Sequence, residues 1–361
     1  MEGTEIMIAV AARSQARAAA NDRDAFYREL GPLGVRPLWP VLSELLTSEP
    51  RVKAVPYIWR YRELRPRLLH AGSLVSAEQA ERRVLMLINP GLGGKIGATA
   101  TLFAGLQLVL PGEIARCHRH TPAAFRFIVA GDGGYTAVEG EKTLMSKGDF
   151  VTTPAWTWHD HGNDSPHAMM WLDGLDLPLV AGLDATFFEP YEDDRQPLVS
   201  PMDDSQARWA ANLRPSGWGA DRGGPASPVL SYRWDACREA LHALREQRGS
   251  DYDGVLMEYT NPCTGGPVLP TMGAYLQLLR NAEHTQAHRH VASTVYHVAE
   301  GAGFSMIAGA CYDWEEGDTF AVPAWTWHEH AAVGSEAVLF SFSDRPALRA
   351  LGLDREEALP A

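Results

Sequence analysis

Three histidines, His118, His120 and His159, are spaced to hold a metal ion. The first two are two residues apart, and on a strand such residues point to the same face. His159 follows a Gly-Asp turn at Gly148 and a proline, Pro154, so it arrives from a later strand and can complete one face of a metal site. Three neutral imidazoles leave coordination positions open, as a catalytic metal needs and a structural one does not. Ligand softness alone leaves zinc, copper, nickel and ferrous iron open. Further polar residues are expected on the same interior face: Gln107 on the strand before His118, Arg126 on the strand leaving the pair, and His161 two past His159. Singly these read as a strand polar residue, a surface charge and a loop histidine. Converging beside a metal, they suit an anionic, oxygen-rich ligand.

The spacing resembles the cupin family. Its first motif, Gly, five residues, His-x-His and a later Gly, fits Gly112, His118, His120 and Gly131. Its second fits Gly148, Pro154, His159 and Asn163. Cupins usually add a glutamate ligand a few residues after the second histidine; here Ala123 and Ala124 stand there, so the expected site is three-histidine.

Around these residues the chain reads as mostly β. Its 361 residues suffice for two domains, and 45% hydrophobic with 21% charged residues is ordinary for a globular protein. A net charge of −13 disfavours nucleic acid or an anionic membrane as partner. The four cysteines, Cys117, Cys237, Cys263 and Cys311, form no CxxC pair, which fits a reducing cytoplasm. Cys117 should point away from the ligand face. The opening apolar run is too short for a signal sequence and carries Glu2 and Glu5, and no segment is long enough to span a membrane.

Residues 1–75 read as a helical and irregular arm, with a helix ending at Leu30 before Gly31-Pro32 and a short one over 37–46 after Pro40. The prolines at 50, 56 and 66 are expected to break the rest of this arm into turns and extended pieces. A first domain over 76–176 opens with Ser76 as N-cap of a short helix. Runs such as TLFAGLQLVLP, AFRFIVAG and DFVTTP come next, the texture of an antiparallel jelly roll. Residues 177–250 form a connection that is rich in Pro, Asp and Gly to about 232 and is expected to wrap on the surface. It ends in a helix with an apolar stripe of Trp234, Cys237, Leu241 and Leu244.

The segment 251–361 repeats the first domain. VLMLINPGLGG returns as VLMEYTNPCTGG, and PAWTWH occurs in both copies. His118 matches His288 at an offset of 170, and His159 matches His328 at 169. The fold class expected is therefore all-β: a bicupin of two tandem double-stranded β-helix (jelly-roll) barrels with an N-terminal helical arm.

With LQLVLPGE, HRHTPAAFRF, GDFVTTPAWTWHDHGN and WLDGLD in place, the chain resembles the gentisate 1,2-dioxygenase family over most of its length, with relatives acting on salicylate and 1-hydroxy-2-naphthoate. The resemblance implies ring cleavage of an aromatic hydroxy acid by ferrous iron, Fe(II), and dioxygen, giving maleylpyruvate from gentisate. It implies His118, His120 and His159 as iron ligands, and Arg126, Gln107, His161, Asp173 and one of Arg82 and Arg83, Arg82 preferred, as substrate-side residues. On this reading Arg126 and Arg82 neutralise the carboxylate, and His161 is the acid–base candidate. A homotetramer is implied too. Two other classes stay open: a non-catalytic metal-binding sensor, and a zinc or manganese isomerase or hydrolase.

The second triad, His288, His290 and His328, keeps Gln277 and His330 beside it and is expected to bind a second metal. Tyr296 stands at the position of Arg126, Ser341 at or near that of Asp173, and Tyr275 at that of Gly105, which lies beside Gln107 in the first half and is expected to leave room there for bulkier or less activated substrates. An aromatic carboxylate should be poorly held there, so the main catalysis is expected in the N-terminal half.

Overall fold

The computed structural model describes residues 17, 20–211, 215–216 and 224–359. The expected leaderless start and the first residues of the first helix lie outside them, as do the stretches 212–214 and 217–223 of the connection. Residues to Arg51 form one compact unit and those from Val52 another. In the first, residues 20–30 are helical, Gly31–Leu33 form a tight turn of helix, and Leu42–Leu45 a further short helix.

Four sheets make up the second unit, two per barrel. The first barrel's six-stranded sheet contains, in spatial order, Ser231–Tyr232, Phe150–Thr153, Ala124–Ala130, Met169–Leu175, Phe103–Val109 and Val84–Met86. Its five-stranded partner sheet carries Ile114–His120 and His159–Asn163 side by side. The second barrel repeats both sheets with His288–His290 beside His328–Ala332.

The long strands read as continuous apolar runs because both their faces are buried. Along Phe103–Val109, Ala104, Leu106 and Leu108 enter a core shared with Phe340 and Phe342 of the second barrel, and Val109 faces its own barrel's interior beside Ile128 and Trp171. Phe127 and Phe340 stack across the barrel junction, centroids 4.2 Å apart. Gly148, a motif glycine, has φ of 88°, and a Cβ there would lie 2.4 Å from the Trp234 ring. It permits both the turn before Phe150–Thr153 and the seating of the helix Trp234–Ala243. In that helix Leu241 is buried, whereas Leu244 falls past the end and is exposed, so the expected stripe is one residue shorter.

Two expectations for the early chain need correction. Pro66 does not break it: Tyr61–Leu74 is a continuous helix containing Pro66. An interior proline costs about 3 kcal/mol. Leu68, fully buried in the inter-barrel core with Tyr61, Leu64 and Leu69 against it, outweighs that. Nor is the segment before 75 only an arm, because Tyr57–Trp59 pairs with Thr319–Val322 and forms the edge of the second barrel's sheet. Ser231–Tyr232 of the connection takes the corresponding edge on the first.

Candidate active site

His118 and His159 face each other across the paired strands Ile114–His120 and His159–Asn163. The Nδ1 of each histidine is held by a backbone carbonyl: His118 by Arg116 at 3.0 Å, His120 by Pro122 at 2.7 Å and His159 by Thr157 at 2.8 Å. Donation from Nδ1–H leaves a lone pair on each Nε2, the tautomer a metal takes. The three rings offer ligand atoms within 4.8 Å of one another, and His159 Nε2 is buried without a partner. Burial, then the neighbouring Arg82 and His120, push the His118 imidazolium far down, to about 2, and burial lowers His120 to about 4. The triad is therefore neutral at physiological pH and could hold a metal ion.

A cavity of about 400 Å³ opens over these rings. Gln107, Arg126 and Asp173 line it from the six-stranded sheet, and Arg82 and Phe188 from outside that sheet. Arg126 is 3% exposed; its Nη1 donates to Thr153 Oγ1 at 2.7 Å, and its Nε lies 3.6 Å from Asp173 Oδ1. Asp173 is held by Trp171 Nε1 at 3.0 Å; burial raises its carboxyl to about 6 against the opposing pull of Arg126. Gln107 Nε2 is buried without a partner and is left to donate to a ligand, while Arg126 Nε makes no hydrogen bond beyond its 3.6 Å ion pair with Asp173.

Of the two adjacent arginines, Arg82 turns to the cavity, its Nη2 2.8 Å from His118 Nε2. Arg83 turns away into a bidentate pair with Glu113, Nη2 to Oε1 2.7 Å, and donates to the Val75 carbonyl. The short helix Ala77–Ala80, closed by a Ser76–Gln79 capping box, ends at Glu81 with φ of 51°, and this turn separates the two side chains.

His161 is fully buried beside His159, ring centroids 5.6 Å apart; its Nδ1 meets Thr136 Oγ1 at 3.0 Å, its Nε2 is buried without a partner, and burial holds its imidazolium well below the usual range. Two further placements differ from expectation. Gly105 does not leave spare room, because a Cβ there would meet Val84 Cγ1 at 2.6 Å and the Phe103 ring at 3.2 Å. The connection is not merely superficial: Phe188–Pro190 pairs with Ile114–His120, and the Phe188 ring lies over His118 with centroids 5.2 Å apart. Sequence reasoning missed Phe188, whose only signal is an aromatic pair, Phe187-Phe188, in a polar segment. Cys117 is buried, with its thiol pushed up to about 12 by burial.

The second triad repeats the first at two of its three rings, while His288 Nδ1 is buried without a partner. His290 Nδ1 meets the Ala292 carbonyl at 2.7 Å, His328 Nδ1 the Thr326 carbonyl at 2.9 Å, and His328 Nε2 is buried without a partner. The cavity over it is only about 60 Å³. Tyr275, Tyr296 and Ser341 line it as expected, but Arg345, Asp253 and Glu356 do too, so this pocket is not without an arginine. A larger cavity, about 730 Å³, lies at the barrel junction beside Phe127, Trp234 and His297, away from both triads.

The cupin domain family matches residues 105–175 and 275–343, one segment in each barrel. A gentisate 1,2-dioxygenase of Aquipseudomonas alcaligenes is 44% identical over 94% of this chain and 97% of its own. The chain belongs to the gentisate 1,2-dioxygenase family. A 5-aminosalicylate 1,2-dioxygenase of Comamonas sp. is 42% identical over 94% of this chain and 91% of its own. Among solved structures, the salicylate 1,2-dioxygenase of Pseudoaminobacter salicylatoxidans with gentisate superposes with a TM-score of 0.87 at 36% identity, covering 94% of each chain. Membership of this enzyme family sets aside the sensor and the isomerase or hydrolase. It also agrees with the bicupin, all-β architecture. Among the described residues no helix is long and apolar enough to cross a membrane.

Proposed function

We propose that this chain cleaves the ring of gentisate with dioxygen, between the carboxyl-bearing and the adjacent hydroxyl-bearing carbon, giving maleylpyruvate, at an Fe(II) ion held by His118, His120 and His159. The observation that carries the reading is the partnerless, buried Nε2 of His159 in a site that also holds the partnerless Gln107 amide nitrogen and the buried Arg126 guanidinium. Ferrous iron held by these three histidines would supply Lewis acidity and the redox chemistry that joins the substrate to dioxygen.

The chain's own residues do the rest. A cation on the triad and the Arg82 guanidinium repel each other, and a substrate carboxylate set between them relieves both. Arg126 supplies the second positive charge, and Asp173, its neighbour across the strands, fixes its direction. Gln107 Nε2 is free to donate to a substrate oxygen, and Phe188 offers a ring face at the mouth. His161, its Nδ1 on Thr136 and its Nε2 buried without a partner, stands with its ring 5.6 Å from that of His159 as the acid–base candidate.

The proposal includes a second metal on His288, His290 and His328, ring cleavage confined to the first barrel, a cytoplasmic setting and a homotetramer. Oxygen uptake by purified enzyme offered gentisate, salicylate and 1-hydroxy-2-naphthoate side by side tests the reaction and its substrate together. Gentisate should be turned over fastest, because its second hydroxyl makes the ring easier to oxidise, and absence of uptake with all three would refute the reading.

A further inference from the structure

The two pockets are topological equivalents with opposite charge at the same histidine. In the first, the segment before Val84–Met86 sends in a cation: Arg82 Nη2 lies 2.8 Å from His118 Nε2. In the second, the segment before Val255–Glu258 sends in an anion: Asp253 Oδ1 lies 3.8 Å from His288 Nε2. Gln107 and Gln277 differ correspondingly. The first keeps its amide nitrogen unpartnered, whereas Gln277 Nε2 donates to the Asp253 carbonyl at 2.8 Å and so fixes the backbone that carries the carboxylate. The edge strands differ as well. Phe188 pairs with His120 in the first barrel and Glu356 with His290 in the second, so a carboxylate replaces the ring face. Arg345 takes up Glu356, which leaves Asp253 as the carboxylate beside His288, lining the same small cavity as His290.

We propose that Asp253 is a fourth ligand to the metal of the second triad, making the C-terminal centre a closed site of three histidines and one carboxylate. This rests on the reading that the second triad binds a metal at all. Three imidazoles and a carboxylate fill a tetrahedral set, and a carboxylate neutralises half the charge of a divalent ion that three imidazoles leave whole. The cavity of about 60 Å³ then has no room for an aromatic acid. The second metal is thus a stabilising one, held more firmly than the first, where the approaching group is an arginine.

Metal content of purified protein, measured through dialysis against a chelator, tests this on wild type, Asp253→Asn, Asp253→Glu and His328→Ala. Wild type should retain one metal per chain after the other has left, and His328→Ala should lose the retained one. Asp253→Asn should release it about tenfold faster or more, with a lowered Tm. Asp253→Glu, which keeps the carboxylate, should recover much of the retention. After ferrous reloading, gentisate turnover by Asp253→Asn should stay within about twofold of wild type. Wild-type retention in Asp253→Asn overturns the fourth ligand and leaves the second metal standing. A wild type that never holds more than one metal per chain, unaffected by His328→Ala, overturns the second centre itself.

Discussion

Arg126 and Asp173 stand directly opposite each other on neighbouring strands inside the first barrel, both nearly inaccessible, Nε 3.6 Å from Oδ1. Each supplies the other's opposite charge on that sheet, yet the guanidinium Nε makes no full hydrogen bond there. A buried pair of this kind is weak evidence for stability; it is better explained as a charge held ready for a ligand.

Arg126→Ala is therefore expected to lower kcat/KM for gentisate by about two to three orders of magnitude, the effect of deleting one partner of a buried charged hydrogen bond. Adding Asp173→Asn to it should recover stability, since the stranded carboxyl is gone, without recovering turnover. Steady-state kinetics and denaturant melts of the single and double variants check this, and wild-type turnover in Arg126→Ala would refute the role.

Stripping the metal should abolish oxygen uptake, and ferrous iron should restore it where zinc does not, because zinc has no second accessible oxidation state. Equal activity with zinc would remove the redox mechanism.

Phe188→Ala should raise KM about tenfold with metal content unchanged, since the ring adds a stacking face at the mouth but no ligand atom. Metal analysis beside the kinetics separates this from damage to His118, on which the ring lies.

Gly148→Ala should destabilise the protein by about 2 kcal/mol or more, combining a strained φ with collision against Trp234. A melt within a few tenths of a kcal/mol of wild type would show that the helix at Trp234 moves freely aside.

The barrels are clasped by two reciprocal hydrogen bonds. Thr101 Oγ1 donates to Asp344 and Thr271 Oγ1 to Asp176, each at 2.5 Å. Burial raises the Asp344 carboxyl from 3.8 to about 6. Below the unfolded value both states are protonated and burial carries no penalty. As pH rises through the window from 3.8 to about 6, the unfolded chain gives up its proton first, so this group's contribution to stability is lost, by at most about 3 kcal/mol. Asp344→Asn cannot titrate. It should gain on wild type between about pH 4.5 and pH 7.5 in denaturant melts; a constant gap would contradict the assignment.

Much of this was legible from the residues alone. The His-x-His pair, the third histidine behind Gly148 and Pro154, and the repeat at an offset of 170 specified a jelly roll twice over, because period-2 alternation and turn glycines are local properties of a chain. The convergence of Gln107 and Arg126 on one interior face came from the same alternation. What the tertiary structure alone decided lies where elements distant in sequence meet. Glu81's turn selected Arg82 over Arg83 for the cavity, and Val84 filled the space beside Gly105. Burial of Leu68 kept Tyr61–Leu74 helical through Pro66. Strand pairing put Phe188 and Glu356 at equivalent edges and brought Asp253 to His288. Periodicity tells which way a side chain faces on its own strand, but which partner fills the space it faces is set by packing between strands, and no local pattern records that.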